Sequence, residues 1–155
     1  IEDVLHQTKN DRIIIVDPER EFVGQTRQHG GTVIKVAAGS ENFINPFDAF
    51  GAYGETEDLI RTKGDLILSL FEIFKNAPLS AGERSIIDRC VQLSYKDFIR
   101  SGYDRAKLPT FQTFDKILTV QEEKSLCSDL HLYLDMYING TVNIFAHQTN
   151  VPLDK

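Results

Sequence analysis

Apolar and polar residues follow two different periods along the chain, and the change of period divides it into two parts. The first part opens with Ile1, Val4 and Leu5 at helical spacing and continues into an uninterrupted apolar run within residues 12–16. A half-exposed strand would alternate polar and apolar residues, so this β-branched run predicts a strand buried on both faces of a parallel sheet. We therefore expect the last turns of a helix, followed by a buried strand.

A helix and a second strand are predicted to follow directly. Pro18 suits the first turn of a helix, and Gly30 and Gly31 suit its end, because glycine readily adopts a positive φ. The apolar residues within 32–36 then make a second strand. Strand, helix and strand in so short a span form a compact βαβ unit with a right-handed crossover. The predicted fold class is therefore α/β, with part of a parallel sheet.

Small and turn-forming residues dominate from residue 37 to 54, which indicates a long connector. Within it, Asn45-Pro46-Phe47-Asp48 has the pattern of a rigid turn that carries an aromatic anchor. We interpret the connector as a surface crossing between subdomains, with a functional loop as the alternative.

The period becomes helical from about residue 57 and predicts four amphipathic helices. The first carries the apolar stripe Ile60, Ile67, Leu70, Phe71 and Phe74. The second follows the capping box from Ser80 to Glu83 and ends before Gly102, the third opens at Pro109-Thr110, and the fourth runs from about Gln121 to Ile138. These patterns predict three parts: residues 1–54 with the βαβ unit and connector, an all-helical subdomain at 55–140, and an irregular return at 141–155.

Composition narrows the range of functions. The chain has 155 residues, which is the size of one domain or slightly more, and it contains no apolar run long enough to cross a membrane. A formal net charge of -6 argues against a surface built to bind nucleic acid phosphates. Cys90 and Cys127 lie in apolar helical patterns without a C-x-x-C pair or clustered histidines, so we expect buried, reduced thiols and no metal site. Because the chain begins at Ile1 without Met or a leader, we expect a piece of a longer protein.

Candidate chemistry lies at the end of the first predicted strand, where Asp17 and Glu19 flank Pro18. Ligands of open α/β sheets bind outside the carboxyl ends of the strands, so both carboxylates are ligand-proximal candidates. The competing interpretation, which we take as the main local role, makes Asp17 a helix N-cap with Glu19 in the first turn. The run also looks like the magnesium-binding strand of a P-loop ATPase, but the sequence has no G-x-x-x-x-G-K-[ST] loop. We therefore predict no catalytic residue in this chain.

Five short motifs, taken in order, resemble the large VirB-type ATPase of conjugative type IV secretion systems, in the versions carried by Gram-positive conjugative elements such as conjugative transposons. No single motif is specific, but the ordered set covers nearly the whole chain. The motifs are Ile14-Ile-Val-Asp-Pro-Glu-Arg-Glu-Phe22, Gly30-Gly-Thr-Val-Ile34, Ile44-Asn-Pro-Phe-Asp48, Glu83-Arg-Ser-Ile-Ile-Asp88 and Asn143-Ile-Phe-Ala-His-Gln-Thr-Asn150.

The resemblance implies a RecA-like motor of the FtsK/HerA group, whose nucleotide domain is interrupted by an all-helical subdomain. Residues 1–48 would be the sheet portion after the P-loop helix, and about 55–140 the helical insertion. The P-loop would precede Ile1 and the magnesium-binding strand would follow Lys155, so the chain alone would need no cofactor and would not be catalytic. Asp17 and Glu19 match the acidic corner near the nucleotide.

The parent protein that the resemblance implies would use ATP and Mg²⁺ for horizontal gene transfer. It would be cytoplasmic and peripheral at the inner face of the cell membrane, where it would self-associate and contact other channel subunits. The alternative from a different class is an independent helical adaptor that binds a protein partner.

Overall fold

The computed structural model describes residues 13–48 and 56–152. The chain divides into two compact units, Ile1–Val33 and Ile34–Lys155. Helices hold 53% of the described residues and β-strands hold none of them. Within the part of the chain that the structure describes, the fold is therefore all-helical.

The predicted α/β fold with a partial RecA-like parallel sheet is wrong. Residues 13–16 have no regular secondary structure, and the side chains of Ile14 and Val16 are 77% and 89% exposed. Residues 32–36 are also irregular, with Val36 half exposed. A strand is stable only when neighbouring strands satisfy its backbone, and two short apolar runs are too few to build an independent sheet. Arg12, the first residue of the predicted strand, lies outside the described residues, as does the predicted helical opening at residues 1–9.

The helix predicted from Pro18 to His29 is much shorter than expected. In the unit Ile1–Val33 the described helix, α1, spans Val23–Gln28. Pro18 lies in a turn, and Arg20 has a φ of 60°, which no α-helix can include. The predicted end is confirmed, because Gly30 follows α1 with a φ of 73°.

The unit Ile34–Lys155 is built from five α-helices in its described residues. They are α2 at Thr56–Lys75, α3 at Ala81–Ser94, α4 at Lys96–Arg100, α5 at Phe111–Leu118 and α6 at Lys124–Ile138, with a 3-10 helix at Arg105–Lys107 between α4 and α5. The four predicted amphipathic helices correspond to α2, to α3 with α4, to α5 and to α6. None of the described helices combines the length and apolar content needed to cross a bilayer.

Capping residues start two of these helices as the sequence predicted. The hydroxyl of Ser80 accepts a hydrogen bond from the Glu83 N–H, and the Glu83 carboxylate accepts one from the Ser80 N–H at 2.7 Å. Thr110 caps α5 in the same reciprocal way with Thr113. These caps satisfy N–H groups that have no partner inside the helix.

The second predicted helix is interrupted at Tyr95 and forms two helices. The hydroxyl of Ser94 donates to the Cys90 carbonyl at 2.7 Å, and bonding of this kind bends helices. Tyr95 then serves as the C-cap of α3 and the N-cap of α4. After α4 the chain reverses through Gly102 and Tyr103, whose φ values are 73° and 68°.

The helical unit has one continuous apolar core in its described residues. Its largest fully buried side chains are aromatic, and each such side chain stabilises the fold by about 1.5–3 kcal/mol. They are Phe47, Phe71, Tyr95, Phe98, Phe111 and Phe114. Phe47 belongs to no helix, because it comes from the connector that precedes α2.

Candidate functional site

The predicted site residues Asp17 and Glu19 lie in the turn that precedes α1. The Asp17 carboxylate accepts hydrogen bonds from the backbone N–H groups of Glu21 and Phe22, at 3.1 and 2.9 Å. Asp17 therefore closes the turn before α1 and is not the N-cap of that helix. The Glu19 side chain is exposed and has no hydrogen bond or ion pair within the described residues. Because the described residues form no sheet, the sheet edge at which both carboxylates were expected is absent there.

Among the described residues, a dense set of polar contacts lies at Asn45-Pro46-Phe47-Asp48, which we call the plug. All four residues are buried, and a hydrogen bond from the Asp48 N–H to the Asn45 carbonyl closes the turn at 3.0 Å. The side chain of Asn45 accepts the Phe47 N–H at 3.1 Å. The turn is therefore rigid, as its Asn-Pro pattern predicted.

The Phe47 ring is the aromatic anchor that the sequence predicted. It has no exposed surface and packs edge-on against Phe111, with ring centroids 5.2 Å apart. Phe114 and Tyr95 contact it at centroid distances of 6.1 and 6.0 Å. The plug is therefore part of the helical core, and the interpretation of the connector as a surface crossing does not hold for these residues.

Tyr95 fixes the plug through its hydroxyl group as well as through its ring. The hydroxyl donates to the Phe47 carbonyl at 2.6 Å in a fully buried position. Burial, and after it the Asp48 charge, raise the pKa of Tyr95, so the hydroxyl keeps the proton that it donates. Within the described residues the Phe47 carbonyl accepts no other hydrogen bond.

Residues 41–45 also bind the return segment, and we call this set of contacts the clasp. Asn150 makes three of the hydrogen bonds in the clasp. Its side-chain oxygen accepts the Phe43 N–H at 2.7 Å, and its side-chain amide donates to the Glu41 carbonyl at 2.7 Å. Its backbone N–H donates to the Phe43 carbonyl at 3.3 Å. The rings of Phe43 and His147 pack edge-on with centroids 4.4 Å apart. Two further N–H groups in this segment bond across the clasp, from Ile44 to the Ile144 carbonyl and from Asn45 to the Thr149 hydroxyl.

Two side-chain amides join the clasp to the loop before α5. The Asn45 amide donates to the Pro109 carbonyl at 2.8 Å and to the Gln148 side-chain oxygen at 2.9 Å. Gln148 in turn donates to the Leu108 carbonyl at 2.7 Å. Each of these amides therefore links three stretches of chain that are distant in sequence.

Asp48 is the charged residue of the plug, and its side chain is only 4% exposed. Its Oδ1 atom is buried and has no hydrogen-bond partner within the described residues. The guanidinium of Arg105 approaches Oδ1 to 3.7 Å, which is an ion-pair distance but too long for a hydrogen bond. Burial lowers the pKa of the Lys63 ammonium, while the Asp48 charge opposes that shift.

The groups most suited to catalysis elsewhere in the helical unit either have structural partners or are buried. Asp115 and His131 bond at 2.7 Å and connect α5 to α6. Cys90 and Cys127 are free and buried, and burial raises the pKa of the Cys90 thiol to about 12. A thiol with so high a pKa is a poor nucleophile at neutral pH.

A partly buried ion pair connects α2 to α3. The Lys75 ammonium lies 2.7 and 3.0 Å from the two carboxylate oxygens of Glu83, the residue that also completes the α3 capping box. Burial works against ionisation of Glu83, yet the hydrogen bonds from Lys75 and Ser80 hold the pKa of its carboxyl below the ordinary value. The described residues contain no cluster of three or more His, Cys, Asp or Glu side chains placed to bind a metal.

Sequence reasoning identified the plug but missed the residues that hold it. Tyr95 falls within the second predicted helix without a role of its own, and Gln148 and Asn150 belong only to a motif of the return segment. Repeated side-chain amides beside irregular backbone were the available signal, because such backbone needs partners for its N–H and C=O groups. Comparisons with protein-family models, with curated proteins and with solved structures give no significant match to the chain.

Proposed function

We propose that this chain is the central part of a conjugative-transfer ATPase of the VirB type and contributes its helical subdomain. The ordered motifs suggest this family, and the helical unit agrees in position with the helical insertion that the resemblance implies. The chain is not catalytic alone, because phosphoryl transfer needs a phosphate cradle and a metal ion. The parent would bind ATP and Mg²⁺, with Asp17 and Glu19 near the nucleotide.

The observation that carries this proposal is the clasp. Its two segments lie at the beginning and at the end of the helical unit, and their bonds join residues more than 100 positions apart. A domain inserted into another must enter and leave at one place, and the adjacent ends of this unit meet that requirement. The same two segments hold the motifs at 44–48 and 143–150, which gives these motifs a physical role.

The parent ATPase would be cytoplasmic and peripheral at the inner face of the cell membrane. It would self-associate and contact other subunits of the secretion channel. Its helical unit would then be carried on the nucleotide domain by the clasp, while the motor residues come from sequence on either side.

The decisive test starts with the coding sequence around this segment. A G-x-x-x-x-G-K-[ST] loop upstream of Ile1 and an acidic strand downstream of Lys155 are expected. The purified full-length product should then release phosphate from ATP in a Mg²⁺-dependent manner, whereas residues 1–155 alone should not. A full-length product without the loop would refute the proposal.

Within that full-length protein, Asp17→Asn separates a nucleotide role from the turn role. Asparagine retains one side-chain oxygen for the turn but loses the charge. A severalfold lower rate of ATP hydrolysis would support a nucleotide-proximal Asp17. An unchanged rate would mean that the role of Asp17 is limited to its hydrogen bonds with the N–H groups of Glu21 and Phe22.

The second candidate is an independent helical adaptor, and exposed apolar residues on the helices favour it. Leu132 and Met136 lie one turn apart on α6 and are 65% and 49% exposed, and Ile73 on α2 is 68% exposed. Neighbouring exposed apolar residues, such as the Leu132 and Met136 pair, are typical of protein contacts. An open reading frame that ends near residues 1 and 155, combined with partner binding that Leu132→Ser abolishes, would favour the adaptor over the ATPase.

A further inference from the structure

The loop at residues 101–109, between α4 and α5, holds the plug and the clasp at three points. We call this loop the strap. Its Leu108 and Pro109 carbonyls accept the side-chain amides of Gln148 and Asn45. Its third contact is the approach of Arg105 to Asp48 at 3.7 Å. Two of these contacts are therefore hydrogen bonds. The third, between Arg105 and Asp48, is too long for a hydrogen bond, and we call it the open contact.

The open contact leaves a buried acceptor unsatisfied. Oδ1 of Asp48 has no hydrogen-bond partner among the residues that the structure describes, although the side chain is only 4% exposed. Buried carboxylate oxygens are nearly always bonded, because an unpaired one has lost its hydration without replacement. The arrangement would therefore gain stability if a cationic donor moved closer.

Two cations interact with the Asp48 charge, and they differ in how firmly their backbone is held. Lys63 lies within the 20-residue helix α2 and is partly buried, so its backbone is fixed. Arg105 lies on a three-residue 3-10 helix, and its side chain is 65% exposed. The strap begins with the two positive φ values at Gly102 and Tyr103, a reversal that places Arg105 over the plug without a long helix to restrain it.

We propose that Arg105 and Asp48 act as an electrostatic latch, in which a small movement of the strap brings the guanidinium onto Oδ1 and locks the plug in the helical core. In the closed latch the strap holds the plug and the clasp by three hydrogen bonds, and the one from Arg105 to Asp48 is charge-assisted. In the open latch, as in this structure, only the two neutral bonds remain. The latch therefore sets how firmly residues 43–48 are held by the helices.

Hydrogen exchange of the plug amides in the full chain tests the latch. The N–H groups of Phe47 and Asp48 bond to Asn45, so their exchange reports opening of the plug. Arg105→Gln should raise their exchange rates about two- to fivefold, the range given by an ion pair with one exposed partner. Raising the salt concentration from about 0.05 to about 0.5 M should accelerate exchange in the wild type and leave Arg105→Gln unchanged.

Lys107→Gln is the matched control, because it removes one positive charge from the same 3-10 helix. Lys107 is exposed and makes no ion pair with Asp48 within the described residues, so this variant should exchange like the wild type. Asp48→Asn supplies a second comparison: added to it, Arg105→Gln should have no further effect on exchange. Equal rates in Arg105→Gln and Lys107→Gln, or a salt effect that persists in Arg105→Gln, would overturn the latch and would mean that solvent satisfies Oδ1.

Discussion

Replacing Phe47 with alanine is the sharpest test of whether the connector belongs to the helical core. The Phe47 ring is fully buried among Phe111, Phe114 and Tyr95, and the helices cannot close the space that it fills without moving these rings. Truncating a buried phenylalanine costs about 3–5 kcal/mol, which is the sum of lost burial and the remaining cavity. The free energy of unfolding of a domain of this size is only about 5–15 kcal/mol. The variant should therefore still fold, but with a much smaller free energy of unfolding.

Urea unfolding followed by far-ultraviolet circular dichroism measures this loss. Phe47→Leu keeps most of the apolar volume and should lose clearly less than Phe47→Ala. The control is Ile73→Ala, since Ile73 is 68% exposed and its truncation should change the stability by no more than about 0.5 kcal/mol. A loss below about 1 kcal/mol for Phe47→Ala, with an unchanged dependence on urea, would refute the conclusion that the plug is part of the core.

Three further predictions concern the helix junctions and the thiols. Ser80→Ala removes the side-chain half of the α3 capping box and should cost about 1 kcal/mol in urea unfolding, whereas Ser80→Asn should retain most of the stability. Because the pKa of Glu83 is lowered in the folded protein, its contribution to stability is present above the ordinary glutamate pKa and is lost as the pH falls through the folded value. Urea midpoints measured across this acidic range should therefore depend less on pH in Glu83→Gln than in the wild type. An identical pH dependence of the midpoint in the two proteins would contradict the role of Glu83. Cys90 and Cys127 should not react with a thiol reagent at about pH 8 until denaturant is added, because burial raises the pKa of both thiols; rapid labelling of the native protein would show that the core around them opens.

The helical half could be predicted because its signals are local. Ser80 and Thr110 each cap a helix by bonding to a residue only three positions away. The apolar stripes likewise repeat within each helix. The failure at residues 13–16 has the opposite cause. A run of β-branched residues indicates that a segment can be a strand, but only a neighbouring strand makes it one, and the sequence of the run carries no information about that neighbour.

The candidate site shows the same limit. The turn at Asn45 and the burial of Phe47 followed from residue types at adjacent positions. The partners of the turn, Tyr95 and Asn150, lie roughly 50 and 100 positions away, and no periodic pattern connects them to it. Asp17 was recognised as a residue that binds backbone N–H groups, but the positive φ of Arg20 moved the helix start beyond its reach.

The clasp also determines how the helical unit would respond to a pulling force. Because the two ends of the unit meet at residues 41–45 and 144–150, a force applied to both ends would load the few bonds between them while the helices beyond carried almost no tension. The hydrogen bonds of the clasp would therefore break before the force reached the helices of the bundle. In an optical-trap measurement with handles at residues 34 and 152, we expect an early, small extension when the clasp opens, followed at higher force by unfolding of the helices; a single unfolding step that Asn150→Ala leaves unchanged would contradict this order of events.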